Sequence, residues 1–255
     1  MPLLVLAVLV VAASALLAVV LVRLMRHPVA SAMASPGTVD VEGAYITVVG
    51  GLYAILLAFM VVVVWTDFQA AGDAVDQEAN RVADLYRLAG ALPPDLRRSI
   101  RQACRDYVEA VEQDEWPAMA RRQPSPRAWA ATDQLWVRVR AATPARVEDA
   151  VLRESLLETL LALAEQRRLR LFQAEATLPA LLWGVLLFGA LLTVALAAAF
   201  RVEPSATHAL KAAVLAAMIS VLLLTIGVLD RPFGGAVHIT PEAFAQARAV
   251  FRRID

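Results

Sequence analysis

The sequence lacks most of what marks a secreted scaffold, a nucleic-acid binder or an enzyme. A single cysteine, Cys104, cannot form an internal disulfide, which excludes a disulfide-stapled fold. Neither charge sign is in surplus: 24 basic and 24 acidic residues cancel, whereas a general nucleic-acid binder carries a basic excess. The histidines, His27, His208 and His238, lie far apart with no ligand-type neighbour at helical spacing, so no metal site is expected. There is no P-loop, no dinucleotide glycine fingerprint and no nucleophile elbow, and no cofactor is expected. Charged residues make up 19% of the chain and hydrophobic ones 59%, against about a quarter and about half in soluble domains. A chain this apolar is not disordered.

The hydrophobic residues are concentrated in four blocks: Leu3–Val22, Ala44–Trp65, Leu178–Phe200 and Ala212–Leu229. Each is about 18–23 residues long and holds no ionisable group except tyrosine, enough for a helix to cross a hydrocarbon core of about 30 Å. Lipid-exposed backbone must satisfy its own hydrogen bonds, which favours helix in all four. The first block is followed by small residues at Ala30–Ala34 that loosely resemble a leader cleavage site. It has no basic residue before it, however, and Arg23 and Arg26 follow it directly, so it reads as a span. Basic residues near the span ends are nearly balanced between the two sides and do not set the orientation. Gly50-Gly51 lies inside the second block, where small residues let helices approach closely.

Segment 66–177 is charged and shows no strand alternation, so it reads as a helical extramembrane domain. The second span should continue unbroken to about Gly90, where Gly90 and Pro93-Pro94 stop it. A helix from about Asp95 to Trp116 follows, with Leu96, Ile100, Cys104, Tyr107, Val108 and Val111 on one stripe. Cys104 on that stripe reads as a small core residue. Glu115-Trp116-Pro117 should end the helix, since proline moves its predecessor out of the α region. Ser125-Pro126 and Thr143-Pro144 look like helix starts. The last helix carries Val151, Leu152, Leu156, Leu160 and Leu163 and is expected to run through Arg167, Arg168 and Arg170 into the third span. Those arginines would either meet anionic lipid headgroups or pair with acids after the second span. The domain's carboxylates read as solvated helix faces, which gives an enzyme little support. Residues 230–255 form a short tail. The expected class is therefore an all-α membrane protein with spans arranged two plus two around a helical domain.

Along the second span, Val48, Leu52, Leu56, Phe59 and Val63 fall on one face, and Asp67 continues it. Several copies around an axis would form a hydrophobic constriction ending in carboxylates, which favours cations. Asp73, Asp76 and Glu78 add to the charge at that mouth. The rival class is a non-conducting scaffold or sensor that binds a cytoplasmic partner through its domain helices.

Gly51-Leu52-Tyr53-Ala54 through Trp65, Ala79, Leu85-Tyr86-Arg87-Leu88, Tyr107, Glu115-Trp116-Pro117 and Met119, with Arg231-Pro232-Phe233-Gly234 in the tail, resemble the bestrophin-like family of bacterial membrane proteins. The tail segment also resembles the Arg-Pro-Phe-Gly that follows the last span of bestrophins. The resemblance implies a homopentameric inner-membrane ion channel, with both termini and the middle domain cytoplasmic and the second span lining the pore. Membrane lipid and inorganic ions would be its partners. On a match of Gly51-Leu52-Tyr53 to the bestrophin Gly-Phe-Tyr, Leu52 would be a neck residue. The Arg-Trp-Trp after the bestrophin second span is replaced here by Trp65-Thr66-Asp67. The acidic calcium-binding run after Arg-Pro-Phe-Gly is also missing, so calcium activation is not carried over. The acids near the mouth weigh against carrying over anion selectivity. Arg231–Gly234 could be a simple turn ending the fourth helix, or it could dock on the middle domain.

Overall fold

A computed structural model describes residues 3–24, 38–141, 147–199 and 206–255 of the chain. Among them every regular element is helical: α1 (Leu3–Leu24), α2 (Thr38–Leu88), α3 (Pro94–Ala110), α4 (Trp116–Ala120), α5 (Pro126–Arg140), α6 (Val147–Glu175), α7 (Ala180–Ala199), α8 (Ala206–Leu229) and α9 (Glu242–Ile254). The chain divides into two compact units, Met1–Trp65 with Thr177–Asp230, and Thr66–Ala176 with Arg231–Asp255. The 30–34 stretch and the Thr143-Pro144 start signal lie outside the described residues.

The first unit holds the helices long and apolar enough to cross a membrane: α1, the first part of α2, α7 and α8. α1 packs along α8, and α7 touches both. The inner side of α2 adds Tyr53, Leu57, Met60 and Val64 to a core shared with Leu186 and Val194 of α7 and Ile219 and Ile226 of α8. Small polar side chains are satisfied within their own helices: Ser14 donates to the Val11 carbonyl at 2.9 Å and Thr193 to that of Gly189 at 2.7 Å. Tyr53 instead reaches across, its hydroxyl donating to the Leu186 carbonyl at 2.9 Å. Its ring fills the space a side chain at Gly189 would need, since a Cβ there would lie 2.5 Å from a ring carbon.

The basic helix does not continue into the third span. α6 ends at Glu175 and α7 starts at Ala180, because Pro179 disfavours α geometry at Leu178. The unwound Leu178 N–H is not left orphaned: it donates to the Asp230 carboxylate at 2.7 Å.

In the second unit, α2 runs to Leu88 and closes in a 3-10 turn, Ala89–Ala91, ahead of Pro93-Pro94. Ile100, Cys104, Tyr107, Val108 and Val111 are buried, as their spacing requires, while Leu96 in the first turn is half-buried. Burial also pushes the Cys104 thiol far above its ordinary range, which suits a core residue rather than a nucleophile. Glu115-Trp116-Pro117 does not end the helix. A π turn over Val111–Glu115 absorbs the proline, with the Trp116 N–H reaching back five residues to the Val111 carbonyl, and α4 continues to Ala120. A π turn widens the helix where Pro117 would otherwise clash with the carbonyl four residues back. Ser125 caps α5 through Ala128 N–H at 3.3 Å, with Pro126 opening the helix. On α6, Leu156, Leu160 and Leu163 are buried while Val151 faces outward.

The tail is more than a turn. Residues after Arg231 include α9, whose Phe244, Ala247 and Phe251 enter the core of this unit. Asp255 anchors it: the Tyr86 hydroxyl donates to its carboxylate at 2.6 Å, Arg101 pairs with it at 3.2 Å, and Arg105 pairs with it too. The Tyr86 ring stacks on Phe251 with centroids 4.2 Å apart.

Gly189→Ala should destabilise the protein by about 1–3 kcal/mol through overpacking against Tyr53, read as a lower Tm in detergent. The Tyr86 hydrogen bond, ahead of Arg105 and Arg101, holds the Asp255 carboxyl below its usual range. Its stabilisation is therefore complete above the ordinary aspartate pKa of about 3.9 and is lost as pH falls through the lowered value. Hydrogen exchange at neutral pH should show α9 amides protected in the wild type and loosened by Asp255→Asn. That difference should begin to shrink as pH falls below about 4 and should vanish only once it has passed the lowered value.

Candidate functional site

On α2 the outward positions follow a heptad rhythm. Val48, Leu52, Ile55, Phe59 and Val62 are all exposed, Phe59 at 65%. Spacings of four and three keep one seam facing one way along a slightly underwound helix. In the second unit the same rhythm on the same helix exposes Thr66, Gln69, Asp73 and Asp76. The seam thus grades from large apolar groups to carboxylates. Leu56 and Val63, assigned to this face from steps of four, are only half-exposed, and Leu56 packs against the core. Ile55 and Val62 occupy the seam in their place, and their seven-residue spacing was the available signal. Asp67 is exposed one position beyond Thr66.

Beside this face the first unit has an apolar groove of about 670 Å³. Gly50, Gly51, Ala54 and Ala58 of α2 line one wall, with Leu215, Met218 and Leu222 of α8 opposite.

Glu78 does not belong with the exposed acids. It is 0% exposed, on the same inward stripe as Ala71, Val75 and Val82. Arg170 grips it with two bonds, Nε to Oε2 at 2.6 Å and Nη2 to Oε1 at 2.9 Å, and the Tyr107 hydroxyl donates to Oε1 at 2.5 Å. Arg170 Nη2 also reaches Glu115 Oε2 at 2.6 Å, and Arg167 Nη2 meets Glu115 Oε1 at 2.5 Å. The Arg167 guanidinium lies 4.3 Å over the Trp129 ring, and that of Arg170 lies 5.5 Å over Trp116. Two cations and two anions cancel, so no net charge is buried. Burial opposes the Arg170 charge, but Glu78 and Glu115 outweigh it and hold its pKa above the ordinary value. Burial, then Glu78, pushes the Tyr107 hydroxyl well above its usual range, so it stays a donor. Of the three clustered arginines, Arg167 and Arg170 pair with acids and Arg168 is exposed. Sequence spacing could not show this, because the partners lie 52 to 92 residues apart.

Arg231-Pro232-Phe233-Gly234 docks on the middle domain. Phe233 is buried and meets the Trp116 ring edge-on at 5.6 Å, and the Pro232 carbonyl accepts from Ile239 N–H at 2.8 Å. Trp116 donates its indole N–H to the Ile239 carbonyl at 3.2 Å.

Comparison with family models matches residues 8–244 to the bestrophin-like domain. Two crystal structures of a bacterial bestrophin homolog from Klebsiella pneumoniae, each with one substitution to threonine, share the fold. One has a TM-score of 0.71 at 15% identity and covers 96% of this chain and 99% of that one. The other has a TM-score of 0.68 at 16% identity, with 96% and 97% covered. A crystal structure described only as a membrane protein variant matches with a TM-score of 0.69 at 13% identity, again with 96% and 97% covered. Among curated proteins, none matches the sequence. At these identities the structural likeness establishes an all-helical bestrophin-homolog fold.

Arg170→Met should cost about 3–5 kcal/mol, because it strands Glu78 and Glu115 as buried charges. Pairing it with Glu78→Gln should recover part of the loss. Thermal unfolding of the single and double variants checks this, and additive losses would count against a coupled cluster.

Proposed function

Because this chain belongs to the bestrophin-like family, we propose that it is an oligomeric membrane channel that conducts cations along a passage lined by α2. The observation that carries the reading is the α2 seam: five large apolar side chains turned outward from their own bundle, followed on the same heptad rhythm by Asp73 and Asp76. Around a symmetry axis, Val48, Leu52, Ile55, Phe59 and Val62 form a neck that gates by dewetting, with Leu56 and Val63 flanking it. Asp67, Asp73 and Asp76 supply a negative mouth that concentrates cations and repels anions. Conduction is passive, since the seam offers no site tight enough to trap an ion. The small-residue groove beside the seam suits the close approach of a neighbouring copy. A pentamer in a bacterial inner membrane, with the middle domain and both termini cytoplasmic, is the assembly that the family resemblance implies.

Reconstituted into vesicles, the purified protein should carry potassium or sodium in preference to chloride. Phe59→Ala should raise the leak severalfold, and Asp73→Asn with Asp76→Asn should reduce the preference for cations. No conductance with any of these ions, together with a native mass equal to a dimer, would instead favour a non-conducting scaffold.

A further inference from the structure

We propose that the second unit carries a binding site for a phosphate group, built by Arg121, Arg122 and Arg231. These residues line one pocket of about 240 Å³ between the end of α4 and the Pro232–Gly235 turn, and no acidic residue lines it. Among the described residues none of the three is ion-paired, and Arg121 makes only a 3.5 Å contact with the Gln123 carboxamide. Several other arginines of this unit are matched with carboxylates, such as Arg127 with Glu109 and Asp114, or Arg248 with Glu112. Three uncompensated guanidinium groups around one cavity create a local positive field that only an anion relieves.

The walls of the pocket are fixed. On one side Arg122 holds φ at 56°, a left-handed conformation unusual for an arginine. Its N–H donates to the Met119 carbonyl at 2.9 Å, and the Gln123 N–H donates to that of Ala118 at 2.9 Å. On the other side Gly234 N–H donates to the Arg231 carbonyl at 3.2 Å. Gly234 comes so close to α4 that a Cβ on it would lie 3.4 Å from the Ala120 carbonyl oxygen, and Gly235 takes a φ of +100° that a side chain would resist. The buried Phe233 roots this turn in the core. Two anchored turns that present forked, permanently charged donors match a tetrahedral oxyanion, whose several oxygens accept from more than one guanidinium. Arg231 stands two residues beyond the end of the last apolar helix, where a lipid phosphate is one natural source; free phosphate is the other. The site does not depend on conduction.

The test uses the full chain in nanodiscs. In one arm, inorganic phosphate is titrated into protein held in phosphatidylcholine, and binding is followed by the shift in Tm. In the other, native mass spectrometry counts retained phosphatidylglycerol. Wild-type protein should bind in at least one arm, and Arg121→Ala with Arg231→Ala should weaken that binding at least about tenfold. Arg98→Ala, which removes an exposed arginine paired with Asp95, should leave it unchanged. Binding in the lipid arm alone identifies a headgroup, and in the phosphate arm alone a soluble ligand. Arg121→Lys with Arg231→Lys keeps the charge but loses the fork. If the alanine pair fails to fold, the lysine pair should still weaken binding severalfold. No binding in either arm, or variants that bind as wild type, would overturn the proposal.

Discussion

Four buried charges fix how the helices of the second unit meet. Glu78 comes from α2, Glu115 from the π turn, and Arg167 and Arg170 from α6, with the Tyr107 hydroxyl of α3 as a fifth partner. Each would be intolerable alone, because taking a carboxylate or a guanidinium out of water costs several kcal/mol, by rough account, unless its partners are in place. Together they oblige α2, the π turn and α6 to meet at one point and in one orientation. Apolar contacts would tolerate small slips, but a bidentate arginine would not. The cluster is therefore better understood as a device for specificity than as a source of net stability.

The π turn and the proline after it serve this cluster. A regular helix would carry Glu115, Trp116 and Met119 progressively off the inward side. The extra residue in the turn brings them back, so that Glu115 reaches both arginines while Trp116 receives Phe233 and Phe244 edge-on. What looks in the sequence like a terminator is, in the fold, the element that keeps the stripe aligned. The docked tail depends on it, because the partners of Phe233 and Ile239 belong to the same short stretch.

The four spans, the unbroken α2, the Ser125 cap and the stripe through Cys104 and Tyr107 were legible because each rests on local chemistry: length without charge, a side-chain oxygen before proline, and spacings of three and four. The outward seam of α2 was legible in type but not in register, because in an apolar helix every face is apolar and only packing separates Ile55 from Leu56. The burial of Glu78 is hidden in the sequence for a related reason. Its neighbours Asp73 and Asp76 are exposed, and nothing within one turn reveals a partner 92 residues away. The break at Pro179 and the helix α9 had readable signals, a proline and an apolar spacing at Phe244, Ala247 and Phe251. Each competes with a stronger local signal: the long run of helix formers on either side of Pro179, and the shortness of the tail around α9.

The seating of Tyr53 against Gly189 has a kinematic consequence. A planar ring wedged over a glycine, with its hydroxyl tied to the Leu186 carbonyl, works as a key in a slot. In the other unit, the Glu78–Arg170 fork does the same for the part of the helix within it. With both engaged, α2 has no freedom to spin about its own axis. In a channel of the kind proposed, widening of a passage along the outward seam would then come from tilt, from sliding between subunits, or from side-chain rotamers such as that of Phe59. The degrees of freedom left for gating such a channel would be those of a hinge or a shutter, and not those of a turning rod.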